Sequence, residues 1–525
     1  MNSVESCNTI RQDESRMPSG ETNKKFDSKK FLKVLKEKKA YFLVLTVFWI
    51  YMLFIAYGDE KPQKIVVAAW ILLAVVSYVV TGLINKADEK NFLIIALILG
   101  GMMIFCNHFP HAIDETTHFF RSFSISCGEW LDTISEDGRL GSYLPDNYEE
   151  IVNSTLNAKT FFLNPELWTQ KFSDNYVFVE NVHMASVLPV NHAVAALGIF
   201  IARAVGLPAI GVIIFSRLFP FLFYVACCYF AIKNVNKYKS LFFVASLLPT
   251  GIWLAASCSQ DPVVNGMTIL FISICLKYKF EDSETKVSRR DMVLILLCAA
   301  GIASVKYLIY TPVLLLFFLI PREKFTVSAR RIMIAIALVI VAVFAALQFK
   351  LLGMFPFAEW GDDINVKEQI KYMLASPMKA IRNIIEYCVY NARVMISSFS
   401  YVADSGVNIV APIMGVFAVV AAPLLEKNRY EWNVKEKKIT SRLFVFIIVV
   451  VVLLVTVALY LGFTPVGADG VNGVQPRYYL SIIVLVMILV SMLPIKNEAK
   501  KSEGVVSFIC MLGIVDTLLK YCSNM

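Results

Sequence analysis

The chain has 525 residues, of which 57% are hydrophobic and 17% are charged, so its apolar surface exceeds what one soluble core of this length buries. The net charge of +9 comes from basic residues scattered through short loops, unlike the aromatic and basic surfaces that read nucleic acid. Composition therefore favours a protein of the lipid bilayer and gives no support to a nucleic-acid partner.

The chain begins with a polar, basic segment, 1–39, which we expect to be a disordered cytosolic tail without a cleavable signal peptide. Long apolar runs follow, close to the roughly 20 residues that a helix needs to cross a bilayer. They predict about 13 transmembrane helices and hence an all-α, polytopic helical membrane protein. The predicted spans lie near 40–58, 65–84, 92–108, 209–232, 240–258, 262–277, 291–305, 307–320, 332–349, 406–424, 443–463, 478–494 and 505–520.

Basic residues concentrate in alternate loops, which places those loops and the N-terminus on the cytoplasmic side. The same rule decides whether 291–320 is one tilted span or two short ones. A single span would move the basic segments 321–331 and 426–442 outside, so we predict a hairpin. The chain then divides into a tail 1–39, an accessory hairpin 40–84, a membrane domain 85–495 and a C-terminal transmembrane helix 496–525.

Two outer loops, 109–208 and 350–405, are too long to be simple linkers, and long structured loops are usually functional. Within the second, apolar residues recur at helical spacing from Ile370 to Cys388, with charged residues between them. This pattern predicts helices that lie in the membrane interface. The segment 192–206 is too short to span and is expected to lie flat or dip into the membrane.

The first outer loop opens with FPHAIDETTHFFR, 109–121. If Pro110 begins a helix, four side chains share one face, namely His111, Asp114, Glu115 and His118. A carboxylate there could act as general base towards a sugar hydroxyl, and the same set could instead hold Mg²⁺ or Mn²⁺. A solvated loop is the simpler interpretation of this segment alone.

Near the other end of the chain, GVNGVQPRYYL brings Gln475, Arg477 and Tyr478 to the outer end of a span. An arginine offers a bidentate fork for phosphate, so these residues suit a clamp for a lipid phosphate. An interfacial anchor explains them equally well, because Arg and Tyr are common at span ends.

Arg217 and Lys306 lie within apolar stretches, where a charge is costly unless it lines a cavity or meets a partner. Asp261, in the short outer turn SCSQDP, lies beside both in the predicted topology and is a candidate partner, although a solvated turn aspartate is commoner. The predicted topology places these acidic and basic side chains on one membrane face. That combination indicates a catalytic or binding site.

In their order and spacing, these motifs resemble the bacterial multi-pass family called domain of unknown function 2142, which is similar to GT-C glycosyltransferases. The resemblance runs from about residue 92 to 495. The matching positions are Asp114, Glu115, His118, Phe120, Arg121, Gly128, Leu188, Pro189, Arg217, Asp261, Lys306, Tyr307, Gln475, Arg477 and Tyr478. Ile113 and Pro476 depart from the family pattern, which tends to have Pro and Gly there, and the hairpin 40–84 precedes the usual first span.

The resemblance implies a GT-C-like fold and inverting transfer of a sugar from a polyprenyl-phosphate donor to a cell-surface glycan or wall polymer. The reaction would occur on the extracytoplasmic face of a bacterial plasma membrane. The implied general base is Asp114, with Glu115 as a second carboxylate or metal ligand. His118 and Arg121 would orient these carboxylates. The implied ligands of the donor phosphate are Arg477, Lys306, Arg217, Gln475 and Tyr478.

Two other functions fit the same sequence features. A carrier or flippase for lipid-linked sugars would use the charges within the spans as a translocation path. A glycan polymerase or ligase would also use a large outer loop and cations near lipid phosphates. Composition does not separate these activities from that of a transferase.

Overall fold

The computed structural model describes residues 87–106, 109–110, 112–156, 165–181, 183–282, 284–355, 363–398, 410–495 and 502–523. These residues are mostly helical, with one small antiparallel sheet. The predicted tail 1–39 and the predicted spans 40–58 and 65–84 lie outside the described residues.

The helices of the described residues are numbered here in chain order. They are α1 Glu89–Ile95, α2 Gly101–Cys106, α3 Glu115–Ser126, α4 Tyr148–Leu156, α5 Pro165–Thr169, α6 Ala193–Ala204, α7 Ala209–Asn234, α8 Lys239–Ser246, α9 Pro249–Ala255, α10 Asp261–Phe280, α11 Arg289–Ala303, α12 Val327–Met354, α13 Val366–Ala375, α14 Pro377–Ser398, α15 Val410–Val416, α16 Ala422–Leu425, α17 Val434–Gly462, α18 Ile483–Ser491 and α19 Ser502–Ser523. Two π-helical segments, Ala96–Gly100 and Phe417–Ala421, join α1 to α2 and α15 to α16. The 3₁₀ segments are Val190–His192, Lys306–Leu308, Thr311–Leu319, Arg322–Lys324 and Pro476–Ile482.

Among the described residues, the four helices α7, α10, α12 and α17 are long and apolar enough to cross a membrane. Each of them contains most of a predicted span, because an uninterrupted apolar run of this length has few alternatives to a helix. The sequence-based prediction of a predominantly helical membrane protein is therefore confirmed.

The predicted span 240–258 is wrong as a single helix. It is divided into α8 and α9, and the backbone of Leu248 between them is extended, with φ −57° and ψ 131°. The cause is Pro249, since the residue before a proline is disfavoured in the helical conformation.

The segment 291–320 is divided in two, as the charge bias indicated. Helix α11 ends at Ala303, and the 3₁₀ segment Thr311–Leu319 follows a turn in which Tyr307 and Leu308 have left-handed backbones. The N–H of Val287, just before α11, donates to the carbonyl of Lys324 at 3.0 Å. The residues that follow the 3₁₀ segment therefore lie beside the residues that precede α11, and the segment 291–320 is a hairpin.

The described residues of the segment 109–208 fold over the end of α7. Apolar side chains from α3, α4, α6 and α7 form one core, which includes Phe119, Phe123, Tyr148, Ile199 and Ile213. Beside it lies the antiparallel sheet β1 (Thr133–Ile134), β2 (Leu140–Pro145) and β3 (Tyr176–Glu180), in the order β1-β2-β3. This small sheet was not predicted. The core fixes where α3 begins, and the candidate carboxylates Asp114 and Glu115 lie at that start.

Helices α13 and α14 pack against the C-terminal end of α17. Asn383 of α14 donates to the carbonyl of Ala468 at 3.0 Å and lies 3.4 Å from the Tyr460 hydroxyl. This contact places the helix pair beside the chain that follows α17, which leads into the segment with Gln475 and Arg477.

The two ends of α10 and α17 differ in chemistry. At one end, Lys279 forms an ion pair with Glu436 at 2.5 Å, within the basic part of both helices. At the other end, Asp261 begins α10 and lies 3.4 Å from Arg477. A helix of this length spans about 30 Å, so the candidate site lies about one bilayer thickness away from the basic end.

Candidate functional site

A cavity of about 190 Å³ lies where α3, α10 and α17 come together with the 3₁₀ segment Pro476–Ile482. Six residues singled out from the sequence line it, namely Asp114, His118, Tyr307, Gln475, Arg477 and Tyr478. The structure therefore brings together residues that are more than 350 positions apart, since Arg477 and Asp114 are separated by 363.

Arg477 links two carboxylates in the wall of this cavity. One terminal nitrogen, Nη2, donates to Asp114 Oδ2 at 2.5 Å, and Nη1 lies 3.4 Å from Asp261 Oδ2. Nη1 also donates to the carbonyl of Ile113 at 3.3 Å. Two carboxylates around one guanidinium leave a local charge of −1, and the fixed fork of the arginine holds all three groups in register.

Asp114 occupies the residue before α3 with a left-handed backbone, φ 59° and ψ 19°. Its carbonyl accepts from the N–H of His118 at 3.1 Å and from the Thr117 hydroxyl at 2.8 Å. Positive φ is uncommon outside glycine, although Asp tolerates it better than most residues. The Asp114 side chain is 36% exposed, so its carboxylate is both held by Arg477 and open to the cavity.

Glu115 was expected to be a second catalytic carboxylate, and its surroundings show a different arrangement. Arg217 donates to both of its oxygens, Nε to Oε1 at 2.8 Å and Nη2 to Oε2 at 2.7 Å, and both side chains are fully buried. The N–H of Cys258 donates to Oε1 at 2.9 Å. Because these contacts occupy the carboxylate, Glu115 anchors the start of α3 and is not directed at a substrate.

The same pair corrects two expectations for Arg217. Its partner is Glu115 and not the predicted Asp261, which contacts Arg477 instead. Arg217 Nη1 also donates to the carbonyl of Ile104 at 3.0 Å, so its guanidinium is turned into the helix packing and away from the cavity. Its implied role as a phosphate ligand is therefore dropped. The side chain of Lys306 lies outside the described part of the chain.

His118 pairs with a histidine that the sequence analysis did not assign to the site. Its Nδ1 lies 2.9 Å from Nε2 of His192, so one ring donates and the other accepts. His192 is fully buried, and burial together with the neighbouring His118 and Arg121 lowers its pKa well below the usual range. The pair is therefore a hydrogen-bonding unit beside the cavity.

Arg121 was expected to orient the carboxylates of α3, but it binds Asp132. The two side chains are fully buried, with Nη1 at 2.9 Å from Oδ1. Arg121 Nη2 also donates to the carbonyl of Met184 at 2.6 Å, and the Ser142 hydroxyl donates to Asp132 at 3.1 Å. Arg121 therefore links the sheet to the segment 183–187. Because residues of this segment line the cavity, Arg121 stabilises the cavity wall without lining it.

Several lining residues were missed from the sequence. Gln260 is 4% exposed and immediately precedes Asp261, so the turn SCSQDP carries two site residues. Tyr310 donates its hydroxyl to the carbonyl of Tyr478 at 2.9 Å, and Ser186 lies 3.4 Å from the Tyr307 hydroxyl. Gln260 could have been found because it directly precedes Asp261, Tyr307 was already among the positions that match the family, and nothing in the sequence pattern distinguished Ser186.

The predicted divalent-metal set does not fit the geometry of the described residues. No group of three or more His, Cys, Asp or Glu side chains suited to a metal occurs in the described part of the chain. Glu115 is committed to Arg217, and His111 lies outside the described residues. We therefore derive no catalytic step through Mg²⁺ or Mn²⁺.

Comparison with known families supports the predicted resemblance. The family described as predicted membrane protein (DUF2142) matches residues 97–486 of the chain. The chain belongs to the DUF2142 family. Every residue of the cavity lies within the DUF2142 region. No curated protein and no solved structure matches the chain, so the similarity to GT-C enzymes stays a prediction.

Proposed function

We propose that this DUF2142 protein is a membrane glycosyltransferase that moves a sugar from a polyprenyl-phosphate donor to a cell-surface glycan or wall polymer, with inversion. One observation carries the proposal. A partly exposed carboxylate, Asp114, and a buried guanidinium, Arg477, border the same cavity and contact each other at 2.5 Å. A base and an anion ligand side by side are the two groups that this transfer requires.

In the proposed reaction, an acceptor hydroxyl oxygen attacks the anomeric carbon of the donor sugar and its proton passes to Asp114. The bond from that carbon to the phosphate oxygen breaks with its electron pair, and polyprenyl phosphate leaves. The leaving phosphate gains negative charge next to Arg477, which stabilises it. Gln475, Tyr478 and Lys306 complete the proposed donor site.

Donor binding also explains why the base and the cation contact each other. Asp261 keeps Arg477 in position through its own contact at 3.4 Å. The donor phosphate then replaces Asp114 as the ligand of Arg477 Nη2, because a guanidinium N–H donates to a phosphate oxygen as it does to a carboxylate oxygen. The released Asp114 carboxylate is free to accept the proton, so the base becomes active only when donor is bound.

We place this site on the extracytoplasmic face of a bacterial plasma membrane, in a GT-C-like fold of about 13 spans with a cytosolic N-terminus. The separation of the cavity from the basic ends of α10 and α17 supports this orientation, because basic residues concentrate on the cytoplasmic side.

The carrier alternative is weakened by the ion pair within the helices. A translocation path would use Arg217 as an accessible cation, yet Arg217 is fully buried and neutralised by Glu115. We therefore rank transfer above transport. A polymerase or ligase would share the same cavity and differs in its product.

The test is transfer of radiolabelled sugar from a panel of polyprenyl-phosphate donors to membrane acceptors, with purified protein in vesicles. Asp114→Asn should abolish transfer while the protein stays folded, because Asp114 is partly exposed. Asp174→Asn, on an exposed residue of the same outer segment, is the matched control and should keep full activity. Full transfer by Asp114→Asn would exclude the proposed base. Labelled lipid that crosses the vesicles without a product would favour the carrier.

A further inference from the structure

Two glutamine side chains that line the cavity beside Arg477 have buried amide oxygens. They are Oε1 of Gln260 and Oε1 of Gln475, and neither accepts a hydrogen bond from any residue that the structure describes. Gln260 as a whole is only 4% exposed. A buried acceptor without a donor is costly, and most such groups in proteins have a partner. The two amide oxygens therefore suit a ligand that supplies hydrogen-bond donors.

Within the proposed donor, the sugar is the part that supplies such hydrogen-bond donors. A phosphate diester and a polyprenyl chain carry no N–H or O–H group, whereas every free hydroxyl of a sugar donates one hydrogen bond. Gln260 directly precedes Asp261, which lies 3.4 Å from Arg477. Because the anomeric carbon of the sugar is bonded to the phosphate, the sugar hydroxyls lie near the group that Arg477 binds. Gln260 is thus close to the sugar.

The charges of the cavity select among sugars. Arg477 is the one lysine or arginine among the described residues of the lining, and the proposed function commits it to the phosphate. Its two carboxylate neighbours are Asp114 at 2.5 Å and Asp261 at 3.4 Å. A second anionic group on the ligand would meet these carboxylates, and like charges in contact disfavour binding strongly.

The aromatic part of the lining suits the C–H faces of a sugar ring. Tyr307, Tyr310, Phe463 and Tyr478 all line the cavity. Aromatic side chains offer a large apolar surface, and tyrosine adds a polar hydroxyl. Sites for small molecules commonly combine such walls with a few polar groups that fix the orientation of the ligand. The cavity therefore offers matching surfaces to both the hydroxyls and the C–H groups of a sugar.

We infer that the sugar of the donor is uncharged, and that Gln260 and Gln475 bind it by accepting hydrogen bonds from its hydroxyls. This inference rests on the proposed function and specifies the class of sugar that is transferred. An amide suits the role because it accepts a hydrogen bond without adding a third carboxylate beside Asp114. A uronic acid, which carries its own carboxylate, is rejected.

The test measures thermal unfolding of the full-length protein in detergent with three kinds of ligand. They are polyprenyl phosphate alone, polyprenyl phosphate bonded to glucose, mannose or galactose, and the corresponding uronic acid forms. A ligand that binds the folded protein raises its melting temperature. We expect at least one neutral sugar to raise it beyond the effect of polyprenyl phosphate, and no uronic acid form to do so. Equal stabilisation by a hexose and its uronic acid, or no extra effect of any neutral sugar, would overturn the inference.

Three variants assign the effect to the glutamines. Gln260→Leu removes the amide oxygen and should weaken binding of the neutral sugar form about tenfold relative to polyprenyl phosphate, the typical effect of one hydrogen bond. Gln475→Leu should act in the same direction, and it carries the test if Gln260→Leu does not fold. The matched control is Gln170→Leu, which removes an amide oxygen that also accepts no hydrogen bond from the described residues but lies outside the cavity lining. Sugar binding at the wild-type level in both cavity variants would contradict the inference.

This measurement separates the sugar site from the proposed reaction, because melting temperatures require no transfer. Stabilisation by a neutral sugar without any transferase activity would uphold the sugar site and refute the proposed function. Transfer of a uronic acid as fast as transfer of the matching hexose would uphold the transferase and refute the sugar site.

Discussion

Glu115 and Arg217 are 102 residues apart in the chain, yet they form a fully buried ion pair closed by two hydrogen bonds. The pair fixes the first turn of α3 to α7. Since Asp114 directly precedes Glu115, the position of the candidate base Asp114 depends on this ion pair. A substitution that breaks the pair should therefore also change the geometry of the site.

Removing one partner of this pair should destabilise the protein strongly. In Arg217→Met, the Glu115 carboxylate stays buried without its counter-ion, and we expect a loss of about 3–5 kcal/mol in the free energy of unfolding. Thermal unfolding in detergent measures the change. The double variant Glu115→Met with Arg217→Met removes both charges and should recover much of the stability. A double variant as unstable as the single one would contradict this account.

The guanidinium fork of Arg477 should be required in addition to its charge. Arg477→Lys keeps the charge but loses the two donors that contact Asp114 and Asp261 together. We expect transfer from a polyprenyl-phosphate donor to fall by about 10²-fold, the typical effect of losing one anion-stabilising donor. The control is Arg382→Lys on exposed α14, which should keep its activity. Unchanged activity in Arg477→Lys would remove this residue from the donor site.

The buried His118–His192 pair should make stability depend on pH. Burial lowers the pKa of His192 well below its ordinary value, so between that lowered pKa and about 6.5 the unfolded chain binds more protons than the folded one. The free energy of unfolding should therefore decrease as the pH falls below about 6.5, by at most about 1.4 kcal/mol per pH unit. Melting temperatures from pH 5 to 8 measure the slope.

The control for this prediction lies on the same side of the molecule. His192→Gln removes the titrating ring and should flatten the dependence. His183, which is partly exposed, has a smaller burial effect on its pKa, so His183→Gln should leave most of the slope. A slope that persists in His192→Gln would assign the pH dependence to another group.

Helix α14 should lie in the membrane surface with a defined rotation. Ile381 and Ile385 are exposed on one side, 50% and 53%, whereas Arg382 and Glu386 form an ion pair on another. A genetically encoded fluorescent amino acid at Ile381 should be quenched by brominated lipid chains. The same probe at Arg382 should be quenched by aqueous iodide. The reverse pattern, or iodide quenching at both positions, would place this face in water.

The sequence was sufficient to predict features that depend on the length of apolar runs and on the positions of basic residues in the loops. The spans at α7, α10, α12 and α17 follow from apolar runs, whose length alone requires a helix in a bilayer. The hairpin of 291–320 followed from the positions of basic residues. The motif residues Asp114, Gln475 and Arg477 also line one cavity, as the predicted topology indicated by placing them on one membrane face.

Pairing between side chains was not predictable from the sequence. Arg217 had Asp261 as its apparent neighbour in the topology, but the packing of α3 against α7 brings Glu115 closer and buries both charges. His192 and Asp132 were missed because each becomes significant only through a contact with α3. The short strands were missed because two to six residues in a polar segment carry almost no alternating pattern.

Arg477 and Asp114 are in contact although 363 residues separate them in the chain. This separation determines when, during synthesis of the chain, the contact can form. A ribosome that adds about 5–20 residues per second needs roughly 20 to 70 s between the two positions. During that interval the early helices insert with the carboxylates of Asp114 and Asp261 in place and no guanidinium between them. The contact of Arg477 with these two carboxylates is therefore completed only when the last helices enter the bilayer, so a nascent or truncated chain holds Asp114 and Asp261 without Arg477.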